Sequence, residues 1–173
     1  MDFEFTEIQN NVRAMTKDFV EREVKPTAME YELEDRYPTP VVNKMKELGM
    51  FGFTISEEYG GGGMTAVEQL IFFDELRRAG APLPFVTLNT VGPALMAHGS
   101  EEHKREFLPQ ILAGETHFAI GYTEPDAGTD LASLKTSAVK DGDEWVINGT
   151  KIFTSGADDA DYIWLAARSD PDA

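Results

Sequence analysis

The sequence predicts an α+β protein: an N-terminal all-α helical bundle followed by antiparallel β structure that stops partway. Three observations predict it. Apolar residues recur at helical spacing behind capping signals as far as Gly114. Beyond Gly114 the period shortens towards two. Asp-Gly and Asn-Gly turn signals enter only after that change. The boundary is therefore read at Gly114, with residues 1–114 as the helical domain and 115–173 as the start of the β domain.

Thr6 with Gln9 three residues on forms a capping box, and Ile8, Val12, Met15 and Phe19 follow at helical spacing. Pro26 is expected to stop that helix near Val24. Thr39 is the predicted N-cap of a second helix, with Pro40 at its first position, Val41, Met45 and Leu48 as its stripe, and Gly49 past its end. Thr65 and Glu68 make another capping box ahead of Val67, Leu70, Ile71 and Leu76, ended by Gly80. A helix over residues 91–97 ends at Gly99. Ser100 caps the next, whose apolar side carries Phe107, Leu108, Ile111 and Leu112, and Pro109 is expected to break or kink it.

Residues 117–123, 136–140, 144–147 and 162–167 read as strands. The Asp141-Gly142-Asp143 turn joins the second and third. Asn148-Gly149 predicts a further hairpin between Val146-Ile147 and Lys151-Ile152-Phe153. The chain then stops at a turn, Ser169-Asp-Pro-Asp-Ala173, after an apolar strand. An open sheet with such an edge is sticky, so the chain is expected to be the N-terminal part of a longer polypeptide.

Composition narrows the function. The 173 residues carry 15 Lys and Arg against 31 Asp and Glu, a net charge of −16 with His neutral. Such a balance argues against nucleic-acid binding and against anionic lipid surfaces. With no cysteine there is neither a disulfide scaffold nor a thiolate metal site. The N-terminus lacks the basic and apolar regions of a signal peptide, and no run approaches a membrane span. The expectation is a soluble, cytoplasmic protein.

Most candidate motifs read as structure. Gly60 to Gly63 lacks the Lys-Ser/Thr of a phosphate loop and is taken as a turn entering the Thr65 helix. His98, His103 and His117 have no metal-ligand spacing, and Asp158, Asp159 and Asp161 lack the calcium-loop pattern. No metal is expected. The segment Gly121-Tyr-Thr-Glu-Pro-Asp-Ala-Gly-Thr-Asp130 is different. It leaves a strand and offers hydroxyls and amides that can bond the rim of a planar heterocycle and then wrap a pyrophosphate. Phe153-Thr-Ser155-Gly, read as a strand after the hairpin, would project an aromatic face and a hydroxyl from one side.

These segments resemble the acyl-CoA dehydrogenases. The resemblance runs through Leu48-Gly-Met-Phe-Gly52, Ser56-Glu-Glu-Tyr-Gly-Gly and Phe107-Leu-Pro-Gln-Ile-Leu-Ala-Gly-Glu115. It continues through Tyr122-Thr-Glu-Pro-Asp-Ala-Gly-Thr-Asp130, Val146-Ile-Asn-Gly-Thr-Lys151 and Phe153-Thr-Ser-Gly-Ala157. It implies a helical domain, a middle β-barrel domain and a C-terminal four-helix bundle, of which this chain matches the first and about half of the second.

The resemblance also implies FAD as cofactor and α,β-desaturation of an acyl-CoA thioester. Tyr122, through its amide, and Thr123, through amide and hydroxyl, match positions that bond the flavin at N1 and O2. Gly128 and Thr129 match the turn that meets the pyrophosphate. Phe153 stands where the family has a Trp against the isoalloxazine, and Ser155 matches a Thr near flavin N5. Phe85, Val86, Thr87 and Thr90, within residues 81–90, fall where the family lines the acyl cavity. The base is a Glu of the C-terminal bundle, and no residue here matches it. Implied partners are acyl-CoA, an electron-transfer flavoprotein, and further subunits in a homotetramer or heterotetramer, with bulky thioesters such as steroid side chains among the family's substrates.

One physical tension is plain. FAD and CoA are polyanions, so a net −16 steers against both, and binding must rest on local amides or on basic groups supplied from elsewhere. Two alternatives stay open from sequence: a flavin-dependent oxidase or monooxygenase on the same fold, and a non-catalytic helical interaction module.

Overall fold

The computed structural model describes residues 4–81 and 84–170. Pro82 and Leu83 of the acyl-cavity segment, and residues 171–173 of the C-terminal turn, lie outside them. The chain divides into two compact units, Met1–Glu115 and Thr116–Ala173. Among the described residues no helix is long and apolar enough to cross a membrane.

In the helical unit, α1 (Glu7–Phe19) starts at the predicted box: Thr6 accepts from the Gln9 amide while the Gln9 side chain accepts from the Thr6 amide. Its buried face is Val12, Thr16 and Phe19, whereas Ile8 and Met15 of the predicted stripe are exposed. Thr16 is tolerated inside because its hydroxyl donates to the Val12 carbonyl at 2.8 Å. Pro26 does not stop the helix. A π-helical stretch, Val20–Val24, leads into α2 (Lys25–Leu33) with Pro26 in its first turn, so the helical register changes just before the residue that cannot donate. The same device recurs: a π-helical stretch, Thr87–Val91, precedes α5 (Gly92–His98), with Pro93 in its first turn.

Two other proline expectations are corrected. In α3 (Thr39–Glu47) Thr39 is already helical and makes no cap, so Pro40 takes the second position and Pro38 the cap. Pro109 sits inside α6 (Glu101–Ala113), which continues through it. Leu108 and Ile111, fully buried on either side, hold that helix by packing. Ser100 caps α6 by accepting from the His103 amide at 3.2 Å.

The predicted box at α4 (Ala66–Arg78) also forms, and there it joins the core. Glu68 accepts from the Thr65 amide at 2.8 Å and from the Gln9 side chain of α1 at 3.0 Å. Seven residues on, on the same face of α4, buried Glu75 takes Arg13 of α1 at 2.8 Å. Between these polar pins lies an aromatic core. Phe72 meets Phe53 edge-on at 4.7 Å and Phe73 at 5.5 Å, and Phe73 meets Phe85 at 5.3 Å. The four glycines after Tyr59 form a structural turn. Met64 donates back to Phe53, and Gly61 lies so close to Ile55 that a Cβ would come within 2.1 Å of its carbonyl oxygen.

The β unit holds β1 (Phe118–Gly121), β2 (Ser137–Asp141), β3 (Glu144–Asn148) and β4 (Tyr162–Leu165). β2 and β3 form the predicted antiparallel hairpin about the Gly142-Asp143 turn. β1 pairs with β4 in parallel, Phe118 opposite Tyr162, which corrects the all-antiparallel expectation. Forty residues separate these two strands, so no tight turn ties them and the longer connection permits parallel pairing. Among the described residues the strands form two two-stranded sheets and no closed barrel. The Asn148-Gly149 hairpin is also absent. Asn148 ends β3 opposite Ser137, and a Cβ on Gly149 would lie 2.3 Å from the Thr136 hydroxyl oxygen. That glycine serves close approach, not a reversal.

Burial along α4 gives a direct test. Leu76 is 0 % exposed and Val67 is 45 % exposed. Leu76→Ala should cost about 2–5 kcal/mol in denaturant unfolding and Val67→Ala under about 1 kcal/mol. Equal losses would contradict the packing described.

Candidate functional site

The loop after β1 is built around one buried carboxylate. Glu124 Oε2 accepts from the Lys135 amide at 2.6 Å, and Oε1 accepts from the Thr136 amide at 2.8 Å and from Lys151 Nζ at 2.9 Å. Its own amide donates to Ala127, closing a tight turn over Pro125 and Asp126. Hydrogen bonds from Thr136, Lys151 and Lys135 hold this carboxyl well below the ordinary carboxylate range. Three chain segments thus meet at one side chain: 122–127, 135–136 and 151–152.

Lys151 makes a second bond, to the Tyr122 carbonyl at 3.0 Å, and the next residue, Ile152, donates its amide to the Thr123 carbonyl at 2.9 Å. The segment carrying Phe153 and Ser155 is thereby laid against Tyr122 and Thr123. Gly128 joins the same cluster, since a Cβ built on it would find Thr123 Cγ2 at 3.9 Å. The Tyr122 hydroxyl accepts from the Trp164 indole at 3.1 Å, so this side chain is anchored away from its amide.

Phe153 and Ser155 are not on a strand. Phe153 has φ +57° and lies in a turn where Ser155 donates its amide back to the Phe153 carbonyl at 2.9 Å. A left-handed conformation is costly for a bulky residue. Phe153 is 83 % exposed, so core packing does not explain it. The tether through Ile152, not strand alternation, sets where this aromatic stands.

The donor set fits a flavin edge. Among the described residues the amides of Tyr122, Thr123, Gly128 and Thr129 and the hydroxyls of Thr123 and Ser155 meet no acceptor. All are short, neutral donors, suited to heterocycle nitrogen and oxygen and to phosphate in a chain whose net charge is −16. Gly128 has room for a side chain, so nothing inside this chain demands glycine there.

The four acyl-cavity candidates divide. Phe85 lines a cavity of about 720 Å³ in the helical unit, together with Phe73, Arg77, Asn89 and Pro93, and Arg77 lies over its ring at 4.6 Å. Thr87 is buried in the core, while Val86 and Thr90 are half-buried and do not line that cavity.

Two family models match in succession: the acyl-CoA dehydrogenase N-terminal domain over residues 6–115 and the middle domain over residues 119–173. This chain belongs to the acyl-CoA dehydrogenase family. It is 51 % identical to acyl-CoA dehydrogenase FadE29 of Mycobacterium tuberculosis, over 100 % of this chain and 46 % of that protein. The ChsE4–ChsE5 complex from Mycobacterium tuberculosis superposes with a TM-score of 0.88 at 44 % identity, covering 99 % of this chain and 45 % of that one. A structure described as the Tcur3481–Tcur3483 steroid ACAD gives a TM-score of 0.82 at 48 % identity, covering 100 % and 46 %. The chain therefore spans about half the length of the relatives it matches. Its fold is acyl-CoA dehydrogenase-like, a helical N-terminal domain followed by a β domain.

Glu124 and Lys151 went unassigned in the sequence reading although both lie in quoted motifs. The signal was present as Thr-Glu-Pro and Asn-Gly-Thr-Lys, but their 27-residue separation conceals the pairing. The pair predicts a pH dependence. A carboxyl held below its ordinary value of 4.5 stabilises the fold fully above that pH and loses this contribution as pH falls towards the folded-state value. Denaturant midpoints of the parent should therefore fall more steeply between about pH 5 and 3 than those of Glu124→Gln. Parallel slopes would show that Glu124 is not held ionised by these donors.

Proposed function

We propose that this chain supplies the flavin-edge donors and an acyl-facing helical segment of an FAD-dependent acyl-CoA dehydrogenase. The observation that carries the reading is Phe153, an exposed aromatic in the left-handed region, tethered through Ile152 to a segment rich in unpartnered donors. A flat ligand lying against that ring accounts for both its exposure and its backbone.

In this reading Tyr122 and Thr123 hold the pyrimidine edge of the flavin through their amides and the Thr123 hydroxyl. Gly128 and Thr129 offer amides to the pyrophosphate, Phe153 covers the ring, and the Ser155 hydroxyl approaches the N5 side. FAD, when bound, supplies the acceptor for the hydride that leaves the acyl β-carbon. The residues named here bind and orient: they fix a plane against which the thioester lies, and neutral dipoles among them stabilise negative charge arriving at the ring edge. None of the 31 acidic residues is assigned to remove the α-proton. That base is assigned to sequence or a subunit beyond these 173 residues.

Phe85 is assigned to acyl contact, with Val86, Thr87 and Thr90 shaping the same helical segment. The relatives described as steroid-acting or as a two-subunit complex support a bulky thioester and a heteromeric assembly. Electron-transfer flavoprotein is the proposed electron acceptor.

The test uses the polypeptide or complex that binds FAD. Phe153→Ala should weaken FAD binding about tenfold, while the apo melting temperature stays unchanged because the ring buries little surface. A steroid side-chain thioester should reduce a dye acceptor faster than a straight-chain acyl-CoA. Unchanged FAD affinity with a lowered apo melting temperature would make Phe153 a structural residue and remove the observation on which the proposal stands.

A further inference from the structure

The Thr123 amide is held from behind by a cation. Lys151 Nζ donates at once to the Tyr122 carbonyl and to Glu124 Oε1, at 3.0 and 2.9 Å, with the Lys and Glu side chains 10 % and 6 % exposed. The Tyr122 carbonyl and the Thr123 N–H belong to one planar, conjugated amide. A positive donor on the carbonyl end withdraws electron density and makes the N–H at the other end a stronger donor, as happens along hydrogen-bond chains in low dielectric. The next peptide is fixed as well, because Ile152 donates to the Thr123 carbonyl at 2.9 Å and Glu124 donates to Ala127 at 2.7 Å. Both peptide planes flanking Thr123 are therefore immobilised by residues 151, 152 and 124, none of which was placed at the flavin.

We propose that Lys151 is a positioning residue that orients and polarises the Thr123 amide through the Tyr122 carbonyl, and that Glu124 sets how much of the ammonium charge that amide feels. This rests on the reading of Thr123 as a flavin-edge donor. Negative charge gathers on that edge when the ring is reduced, so a stronger donor there favours the reduced form. The two buried partners then act in opposite directions. Lys151→Met removes the polarising charge. Glu124→Gln leaves the charge without its counter-ion and increases its effect on the amide. A purely structural pair would behave differently, because losing either member would loosen the same loop in the same way.

The measurement is the flavin reduction potential of the FAD-loaded protein by dye equilibration, with apo melting curves alongside to report folding. Lys151→Met should lower the preference for reduced over oxidised FAD about three- to tenfold, on the order of 15–30 mV more negative for a two-electron couple. Lys151→Arg, which keeps charge and reach, should stay within about twofold of the parent. Glu124→Gln should shift the potential the other way, and its sign decides the matter even if Lys151→Met fails to fold. Shifts of the same sign in both charge-removing variants, or an unchanged potential in a folded Lys151→Met protein that retains FAD, would overturn the proposal alone. A parent that retains no FAD would overturn the flavin reading and this proposal with it.

Discussion

The β unit depends on one buried ion pair. Glu124 and Lys151 lie 27 residues apart, and between them they tie down the loop after β1, the entry to β2 and the run beyond β3. Among the described residues neither sheet has more than two strands, and β3 is exposed along its whole length, so apolar burial contributes little to holding these segments in register. A carboxylate that satisfies two backbone amides and an ammonium does so with geometry as well as energy. Removing either partner would strand a buried charge, which makes the pair a strong constraint on local structure whatever its net contribution to stability.

On the proposed reading, the same arrangement lets a strongly acidic chain meet a polyanionic cofactor. Long-range fields from a net charge of −16 oppose an approaching phosphate, but backbone dipoles act only at short range. The loop presents neutral amides and hydroxyls, while Lys151 faces inward onto Glu124 and the Tyr122 carbonyl and Lys135 pairs with Asp126 at 3.5 Å. In the proposal above, the Lys151 charge acts through a peptide group instead of at the surface. The helical unit shows a related economy, with Glu68 and Glu75 of α4 spent on Gln9 and Arg13 of α1.

What the sequence made legible follows from which forces are local. The boxes at Thr6 and Thr65 and the Ser100 cap were readable because cap and partner lie within three residues. α2 was missed because it has no buried residue among those described, and hence no apolar stripe to read. The prolines misled for a common reason. A lost N–H is harmful in a regular helix interior, yet a π-helical entry or strong packing absorbs it, and neither is visible locally. Asn148-Gly149 carried a hairpin signal, but the glycine answers to Thr136, thirteen residues earlier on the partner strand's side. The site candidates Tyr122, Thr123, Gly128, Phe153 and Ser155 came from motif resemblance. The structure adds what motif reading could not: the clamp that brings them together, and the left-handed turn that replaces a supposed strand at Phe153.

On the proposed reading, the unpartnered donors on this loop are held ready for a flavin by the Glu124–Lys151 clamp. Residue-resolved amide hydrogen exchange, compared between the apo protein and its FAD-loaded form, tests it most directly. The amides of Tyr122, Thr123, Gly128 and Thr129 should exchange freely without FAD and become protected with it, while the Ile152 and Thr136 amides, already bonded, change little. Protection confined to other segments, with these four amides exchanging equally fast in both forms, would contradict it.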